Sequence, residues 1–366
     1  MLVLSAMSGG VDSAVATARL LAAGHEVVGV HLALSRTPLA QRIGSRGCCS
    51  LADVHDARRV ADRLGIDFHV WDFSARFAAE VIEDFLAEYA AGRTPNPCLR
   101  CNERIKFAAL LEKGLALGFD AVATGHYARL RNTATGQPEL LRARDLAKDQ
   151  SYVLGVLNAT QLARSIFPLG DSLKSQVRAE AARLGLLVAG KPDSTDICFI
   201  PDGNTAGYLT EKLGAAPGEI VDLAGNRLGA HQGVHRYTIG QRKGLNLGIP
   251  ATDGRPRYVV AVDPGRRRVV VGGRADLAVD RLRGVRPTWT RDAPVGRWRG
   301  LVQLRAHGAG LPADIELVGE QVVIDLVEPC SGIAPGQYAV CYDGDRVIGS
   351  SVIQTTRRSS DQLGVG

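Results

Sequence analysis

No run of about 18 consecutive apolar residues occurs in the 366-residue chain, which excludes a membrane-spanning helix. No basic segment followed by an apolar core opens it. The first residues read directly as a strand, so the expectation is a cytoplasmic protein without an export signal. Cysteine is scarce and odd in number, seven in all, which does not suit the disulfide framework of a secreted protein. A second CxxC is missing, which argues against a four-cysteine zinc ribbon. There is no internal repeat and no low-complexity tract. The glycine-rich stretch near the N-terminus lacks the lysine of a Walker loop, and it lacks the G-x-G-x-x-G spacing of a dinucleotide site.

What is present is ordinary globular material, 45% hydrophobic and 22% charged, in a length that suits two or three domains. Charge is unevenly spread. Residues 236–305 hold sixteen Lys or Arg against five Asp or Glu, a surplus of eleven. The whole chain carries +6, so the remainder carries −5. Tyr237, Tyr258, Trp289 and Trp298 are interleaved with these cations, a mixture that suits a nucleic-acid backbone and exposed bases. A solvated arginine-rich surface is the plainer account of the same composition.

The first half alternates between strand and helix patterns. Residues 2–5, 27–32, 67–71 and 121–124 read as buried strands. Residues 14–23, 52–64, 75–89, 105–117 and 175–184 read as helices, and 191–201 as a loop. Such alternation predicts an α/β fold, a doubly wound parallel sheet with ligands at the carboxyl ends of its strands. Beyond about residue 205 the texture changes to short β-like runs between glycines, without long helical patterns. The expected domains are therefore 1–204, catalytic; 205–274, a small central β-rich unit; 275–358, a β-barrel; and 359–366, a polar tail.

Ser8-Gly9-Gly10-Val11-Asp12-Ser13 falls between the first strand and the first helix. Two glycines let backbone N–H groups approach an anion, and the helix start adds a positive dipole end. The loop reads as a phosphate cradle, and SGGxDS in this place looks like the PP-loop of ATP pyrophosphatases. Asp12 fits a phosphate contact poorly. It reads as a helix-start residue, or as a Mg²⁺ or proton partner beside pyrophosphate. An ordinary glycine turn with an Asp/Ser cap is the alternative.

Thr94-Pro95-Asn96-Pro97-Cys98-Leu99-Arg100-Cys101-Asn102 is a stiff loop before a helix expected to begin near Glu103. The helix start, with Arg100 and Arg104, would favour thiolate at the cysteines. A lone CxxC is read equally as a redox pair, half a zinc site or part of an iron–sulfur site. Cys198, in Asp193-Ser194-Thr195-Asp196-Ile197-Cys198-Phe199-Ile200, is either a buried small hydrophobe or a second active thiol brought to the same sheet edge. Cys48 and Cys49 have no assigned role, and Cys330 and Cys341 read as packing residues. His31, His55 and His69 form no ligand spacing with the cysteines.

Together these stretches resemble the bacterial tRNA-specific 2-thiouridylase family. The matching motifs run in order: SGGVDS, TPNPCxxCN, ATGHY at 123–127, KDQSY at 148–152, STDICFI at 194–200, HRYTIGQRKGL at 235–245 and PGQ at 335–337. The resemblance implies ATP-dependent thiolation of the wobble uridine of tRNA. Uracil O2 is adenylated, sulfur arrives as a persulfide, and AMP and pyrophosphate leave. It implies ATP with Mg²⁺, and as partners a tRNA anticodon loop and a cysteine desulfurase or sulfur-relay protein. By this resemblance Ala6, Met7, Ser8, Gly9, Gly10, Val11, Asp12 and Ser13 bind phosphates, with Leu32 and Gly125 near the adenosine. Cys101 is the nucleophile and Cys198 carries the persulfide. Asn96, Pro97 and Cys98 touch the target base. His126, Lys148, Asp149, Gln150, Arg305, Ala306 and Gln337 contact tRNA.

Two positions depart from the family pattern. Many relatives have Asp in place of Cys98, so Cys98, Cys101 and Cys198 form a set of three thiols able in principle to hold a [4Fe–4S] cluster with sulfide on its open iron. Ala306 stands where relatives often carry an aromatic, which weakens that contact.

Overall fold

The computed structural model describes residues 1–35, 51–193, 197–200, 202–247 and 254–357. Strand β1 (Leu2–Ala6) leads through the glycine loop into α1 (Val11–Ala22), followed by β2 (Glu26–Ala33), α2 (Leu51–Leu64) and β3 (Phe68–Asp72). Next come α3 (Ser74–Phe77), a π-helical segment (Ala78–Ile82) and α4 (Glu83–Ala90). Then α5 (Pro97–Cys101), a second π segment (Asn102–Ala109) and α6 (Leu110–Ala116) run without a break into the loop before β4 (Ala121–Ala123). After the hairpin β5 (Arg129–Asn132) and β6 (Pro138–Leu141) come α7 (Ser151–Leu154), α8 (Ala159–Ala163), β7 (Ser165–Ile166) and α9 (Lys174–Arg183). The sheet has the order β3-β2-β1-β4-β7, all parallel. Its order reverses between β1 and β4, and a doubly wound sheet binds ligands in the crevice at such a point.

Successive β1 side chains feed opposite layers, as a strand covered on both faces requires. Leu4 joins one cluster with Val30, Phe77, Phe85, Ile105 and Leu110. Val3 packs with Leu20, Val27 and Ala123, and the layer beside them holds Met7, Val11, Val15, Val60 and Val177.

The chain then forms α10 (Thr205–Leu213), β8 (Gly218–Val221), β9 (Arg227–His231), β10 (Tyr258–Asp263) and β11 (Arg268–Gly272). These four strands make a separate sheet in the order β10-β11-β8-β9 around Ile220, Val259, Val269 and Val271. The remaining strands are β12 (Ala278–Trp289), β13 (Arg297–Gln303), β14 (Leu311–Val318), β15 (Gln321–Ser331), β16 (Tyr338–Asp343) and β17 (Arg346–Arg357). They pair antiparallel in the order β12-β15-β14-β13-β16-β17, and β12 pairs again with β17, closing a six-stranded barrel. Leu282, Val302, Ile324, Cys341 and Ile353 fill it. Burial pushes the Cys341 thiol up to about 12, in keeping with a packing residue.

Hairpin β5–β6 leaves the first unit and adds to β17 at Leu141 and Arg346. Beneath it, Leu99, Phe107, Tyr152 and Leu154 share one core with Tyr338, Val340 and Tyr342 of the barrel. The parallel-sheet unit and the barrel are therefore joined through the helix that begins at Pro97.

Three expectations need correction. That helix begins at Pro97, not near Glu103, because Asn96 caps it, its Oδ1 accepting from the Cys98 N–H at 3.1 Å, and because proline suits a first helical position. A helix, α10, stands where only β texture was expected, capped by the Asn204 side chain. And β3 is not a buried strand. It lies at the sheet edge, with Val70 44% exposed. Cys48 and Cys49, residues 194–196 of the third motif and the tail from 358 onward lie outside the described residues.

Candidate functional site

The carboxyl ends of β1 and β4 form the floor of the site. Gly10 is the N-cap of α1 and has no side chain to satisfy the first-turn amides, which leaves them to face an incoming anion. Ser13 Oγ accepts from the Ser8 N–H at 3.2 Å and donates to the Gly10 carbonyl at 3.1 Å, so the loop is braced across its own turn. Gly9 has φ of +77°, and a Cβ there would run into the Asp53 carbonyl. Gly125, after β4, lies close against α1. A Cβ on it would stand 2.7 Å from the Asp12 carbonyl carbon and 2.7 Å from the Ser13 nitrogen. Both positions accept only glycine without displacement of the loop.

Side chains distant in sequence complete the loop's electrostatics. Lys174, first residue of α9 and 9% exposed, donates from Nζ to both Asp12 carboxylate oxygens at 2.7 Å. Tyr127 Oη donates to Asp12 Oδ1 at 2.8 Å. Burial and the Asp12 charge push the Tyr127 hydroxyl well above its ordinary value, so it remains a donor. Lys191 Nζ donates to the Gly9 carbonyl at 2.9 Å and to Asp53 and Asp56, each at 2.7 Å. Burial opposes the Lys191 charge, but the two carboxylates outweigh it and its pKa is raised. Asp193 accepts from Lys148 at 2.8 Å, Lys174 at 2.9 Å and Arg178 at 2.7 Å. None of Lys174, Lys191 or Tyr127 stands out in the sequence as a loop partner. They lie 115 to 182 residues from the loop residues they hold, Asp12 and Gly9, and only Tyr127 falls inside a recognised motif.

The CxxC helix brings the thiols to the other side of the same sheet edge. Cys98 is exposed in the first helical turn, and Cys101, one turn further in, is 8% exposed. Cys101 and the half-buried Cys198 pack into one apolar cluster, which also holds Phe77, Phe85 and Phe199 together with Ala6, Leu32 and Leu34 at the ends of β1 and β2. Two residues 97 apart are thus gathered beside the loop-bearing strand. The arginines do not act as expected: Arg100 is bonded to Asp84 at 2.5 Å and Glu103 at 2.9 Å, and Arg104 pairs with Glu103 at 3.4 Å. Both guanidinium groups thus have carboxylate partners. Among the described residues no three Cys, His, Asp or Glu side chains gather at metal-holding distance.

The remaining candidates divide into two groups. Asn96, Arg305, Ala306 and Gln337 line one cleft of about 660 Å³, together with Thr238, Tyr258, Arg274 and His307. Thr94 anchors it: its N–H donates to the Pro335 carbonyl at 2.8 Å, its carbonyl accepts from Gln337 Nε2 at 2.6 Å, and its hydroxyl donates to Thr238 at 3.2 Å. Three motifs from three sequence regions meet at that residue. Arg305 donates to the Ser331 and Gly332 carbonyls on the rim.

In the second group His126 and the Asp149 side chain are enclosed, whereas Lys148 is exposed. Gln150 Oε1 accepts from the Tyr127 N–H at 2.9 Å, and Lys148 is tied to Asp193. Asp149 is occupied by Arg142, the Ala143 N–H and Ser151. His126 is 9% exposed between Phe107 and Phe167. Burial and the Lys106 charge hold its imidazole well below the ordinary value, so it is neutral. In this arrangement Asp149 and His126 brace the floor and do not present themselves to a large partner.

Comparison with known proteins gives a consistent result. Family models match end to end: a tRNA methyl transferase HUP domain over residues 1–202, a tRNA methyl transferase PRC-barrel domain over 206–273, and an aminomethyltransferase beta-barrel domain over 279–353. The chain is 63% identical over 360 residues to the tRNA-specific 2-thiouridylase MnmA of Acidothermus cellulolyticus, covering 98% of this chain and 99% of that one. It is 62% identical to the protein of that name from Cutibacterium acnes, covering 98% of each, and 59% identical to that of Streptomyces coelicolor, covering 98% and 96%.

Proposed function

This chain belongs to the tRNA-specific 2-thiouridylase family, and on that footing we propose that its cleft exchanges the C2 oxygen of the wobble uridine for sulfur by way of an adenylated base and a cysteine persulfide. The observation that carries the reading is the packing of Cys101 and Cys198 in one cluster beside the strand end that bears the phosphate loop.

Uracil O2 attacks the α-phosphorus of ATP and pyrophosphate leaves, so the poor leaving group at C2 becomes AMP. The terminal sulfur of a persulfide on Cys198, supplied by a desulfurase or relay protein, bonds to C2 as AMP departs. The Cys101 thiolate then attacks the Cys198 sulfur, the sulfur–sulfur bond breaks toward the base, and 2-thiouridine is released with a Cys101–Cys198 disulfide. A thiol reductant returns two electrons. Mg²⁺ commonly takes one or two carboxylates plus substrate phosphates, and Asp12, in the first turn of α1, is the carboxylate that would help hold it there. A target base must be extruded from the anticodon loop to reach this depth. Asn96 lines the cleft and Cys98 is exposed beside it in sequence, while Pro97 is buried, so Asn96 and Cys98 are the members of this motif that would meet the base. The cluster-based route lacks comparable support, since Cys98 is exposed while Cys101 and Cys198 face the apolar cluster.

Reconstitution with ATP, Mg²⁺, a persulfide donor and tRNA bearing U34 is expected to yield AMP and 2-thiouridine. Cys198→Ser should lose sulfur transfer while AMP formation and ATP binding persist. Loss of ATP binding in that variant, or full activity, would sink the assignment of Cys198.

A further inference from the structure

A Walker loop carries its own lysine for the terminal phosphates; this loop has none. We propose that Lys174 and Lys191 are its replacement, an ammonium pair that grips the β,γ-pyrophosphate and does not touch AMP. The inference rests on the ATP-dependent reading above and deepens it.

Three observations support the pair. The first is position. Lys174 Nζ is bidentate on the Asp12 carboxylate, within the loop itself, and Lys191 Nζ bonds a loop carbonyl at Gly9. The two ammonium groups therefore approach the cradle from α9 and from the segment before Asp193.

The second is that the location of Lys174 is locally unfavourable. It is the first residue of α9, where the helix dipole disfavours a cation. The turn itself has no acidic residue, and only the Asp145 carboxylate, which accepts from the Lys174 N–H at 2.9 Å, offsets part of that cost. The residue is 9% exposed, so desolvation adds to the cost. A placement that both local effects oppose is expected where a site needs the charge.

The third is that the resting charges are balanced and exchangeable. Lys148, Lys174, Arg178 and Lys191 face Asp12, Asp53, Asp56 and Asp193. The Asp12 carboxylate holds the position of an anion between Lys174 and Tyr127. Arrival of a Mg²⁺-bound triphosphate supplies a cation for Asp12 and an anion for Lys174 together. The lysine can then pass from carboxylate to phosphate oxygen without leaving either charge unpaired.

The test is equilibrium binding of ATP, AMP and inorganic pyrophosphate, each with Mg²⁺, to the full chain and to Lys174→Met, Lys174→Arg and Lys191→Met. Loss of one charge-assisted contact is expected to weaken ATP and pyrophosphate about tenfold or more in the methionine variants. AMP affinity should stay within about twofold, and Lys174→Arg should recover part of the loss. Equal loss for all three ligands would mean that the lysines only hold the loop together, and unchanged affinities would mean that they take no part; either result overturns the proposal. If the wild-type chain makes no 2-thiouridine yet distinguishes ATP from AMP through Lys174, the thiolation reading falls and the clamp stands. Absence of ATP binding by the wild type removes both.

Discussion

Asp193 shows how one side chain registers the charge of its surroundings. Partial burial alone would raise its pKa, but hydrogen bonds and charge from Lys148 and Lys174 prevail and pull it from 3.8 to about 2. A carboxylate whose folded value lies below its unfolded value adds stability that is complete above the unfolded pKa and is lost as pH falls through the folded one. The wild type should therefore exceed Asp193→Asn in thermal midpoint by a constant margin near neutrality. The margin should close as pH drops from about 4 toward 2. Midpoints measured across that range would check it, and a margin that persists unchanged to pH 2 would assign the effect of the substitution to shape and not to charge. Little of this is legible in the sequence. SGGVDS reads as a phosphate cradle because an anion site of that kind needs contiguous backbone amides. The cations that serve it have no local pattern, since a lysine 162 residues away needs only to reach one point in space.

At the scale of elements, legibility follows burial pattern. Strands β1, β2 and β4 are short apolar runs with no competing reading, and the structure has them close to where the pattern puts them. The start of the helix carrying both cysteines of the CxxC is hidden in the sequence because two prolines suggest a loop, whereas Pro97 pre-sets the helical φ and Asn96 caps. That cap determines where the thiols lie: Cys98 in the exposed first turn, Cys101 one turn deeper against Phe199 and its neighbours. Directly after Cys101 the helix widens into the π segment, a departure that often accompanies functional sites. Replacing Asn96 by Ala removes the acceptor for the Cys98 N–H and should cost about 1 kcal/mol, with amide exchange at Cys98 accelerated ahead of the rest of the helix. Asn96→Asp keeps an acceptor and should restore protection. If exchange at Cys98 is unaffected by Ala, the helix start is being held by the Thr94 contacts and not by the cap.

For the molecule as a whole, composition locates the basic half but overstates its reach. Of the cations in 236–305, Arg281, Arg291, Arg297 and Arg299 form salt bridges with Asp325, Glu139 or Asp314. Their charges are partly offset within the protein, and fewer remain for a polyanion than the charge surplus of that stretch suggests. What the sequence does not show is convergence. Thr94, Thr238 and Pro335–Gln337 come from three regions far apart in the sequence, and only tertiary structure brings them to one cleft with Arg305 on its rim. Binding of tRNA should be sensitive to salt because each phosphate neutralised releases condensed counterions. For a single-stranded loop the expected slope of log affinity against log salt is about −0.7 per contact. With on the order of six phosphates engaged, the slope should be about −4. Arg305→Ala should make it shallower by about 0.7 if the guanidinium meets a phosphate. A weaker affinity with an unchanged slope would instead identify Arg305 as the prop of the Ser331 and Gly332 carbonyls, acting on the cleft's shape and not on the RNA charge.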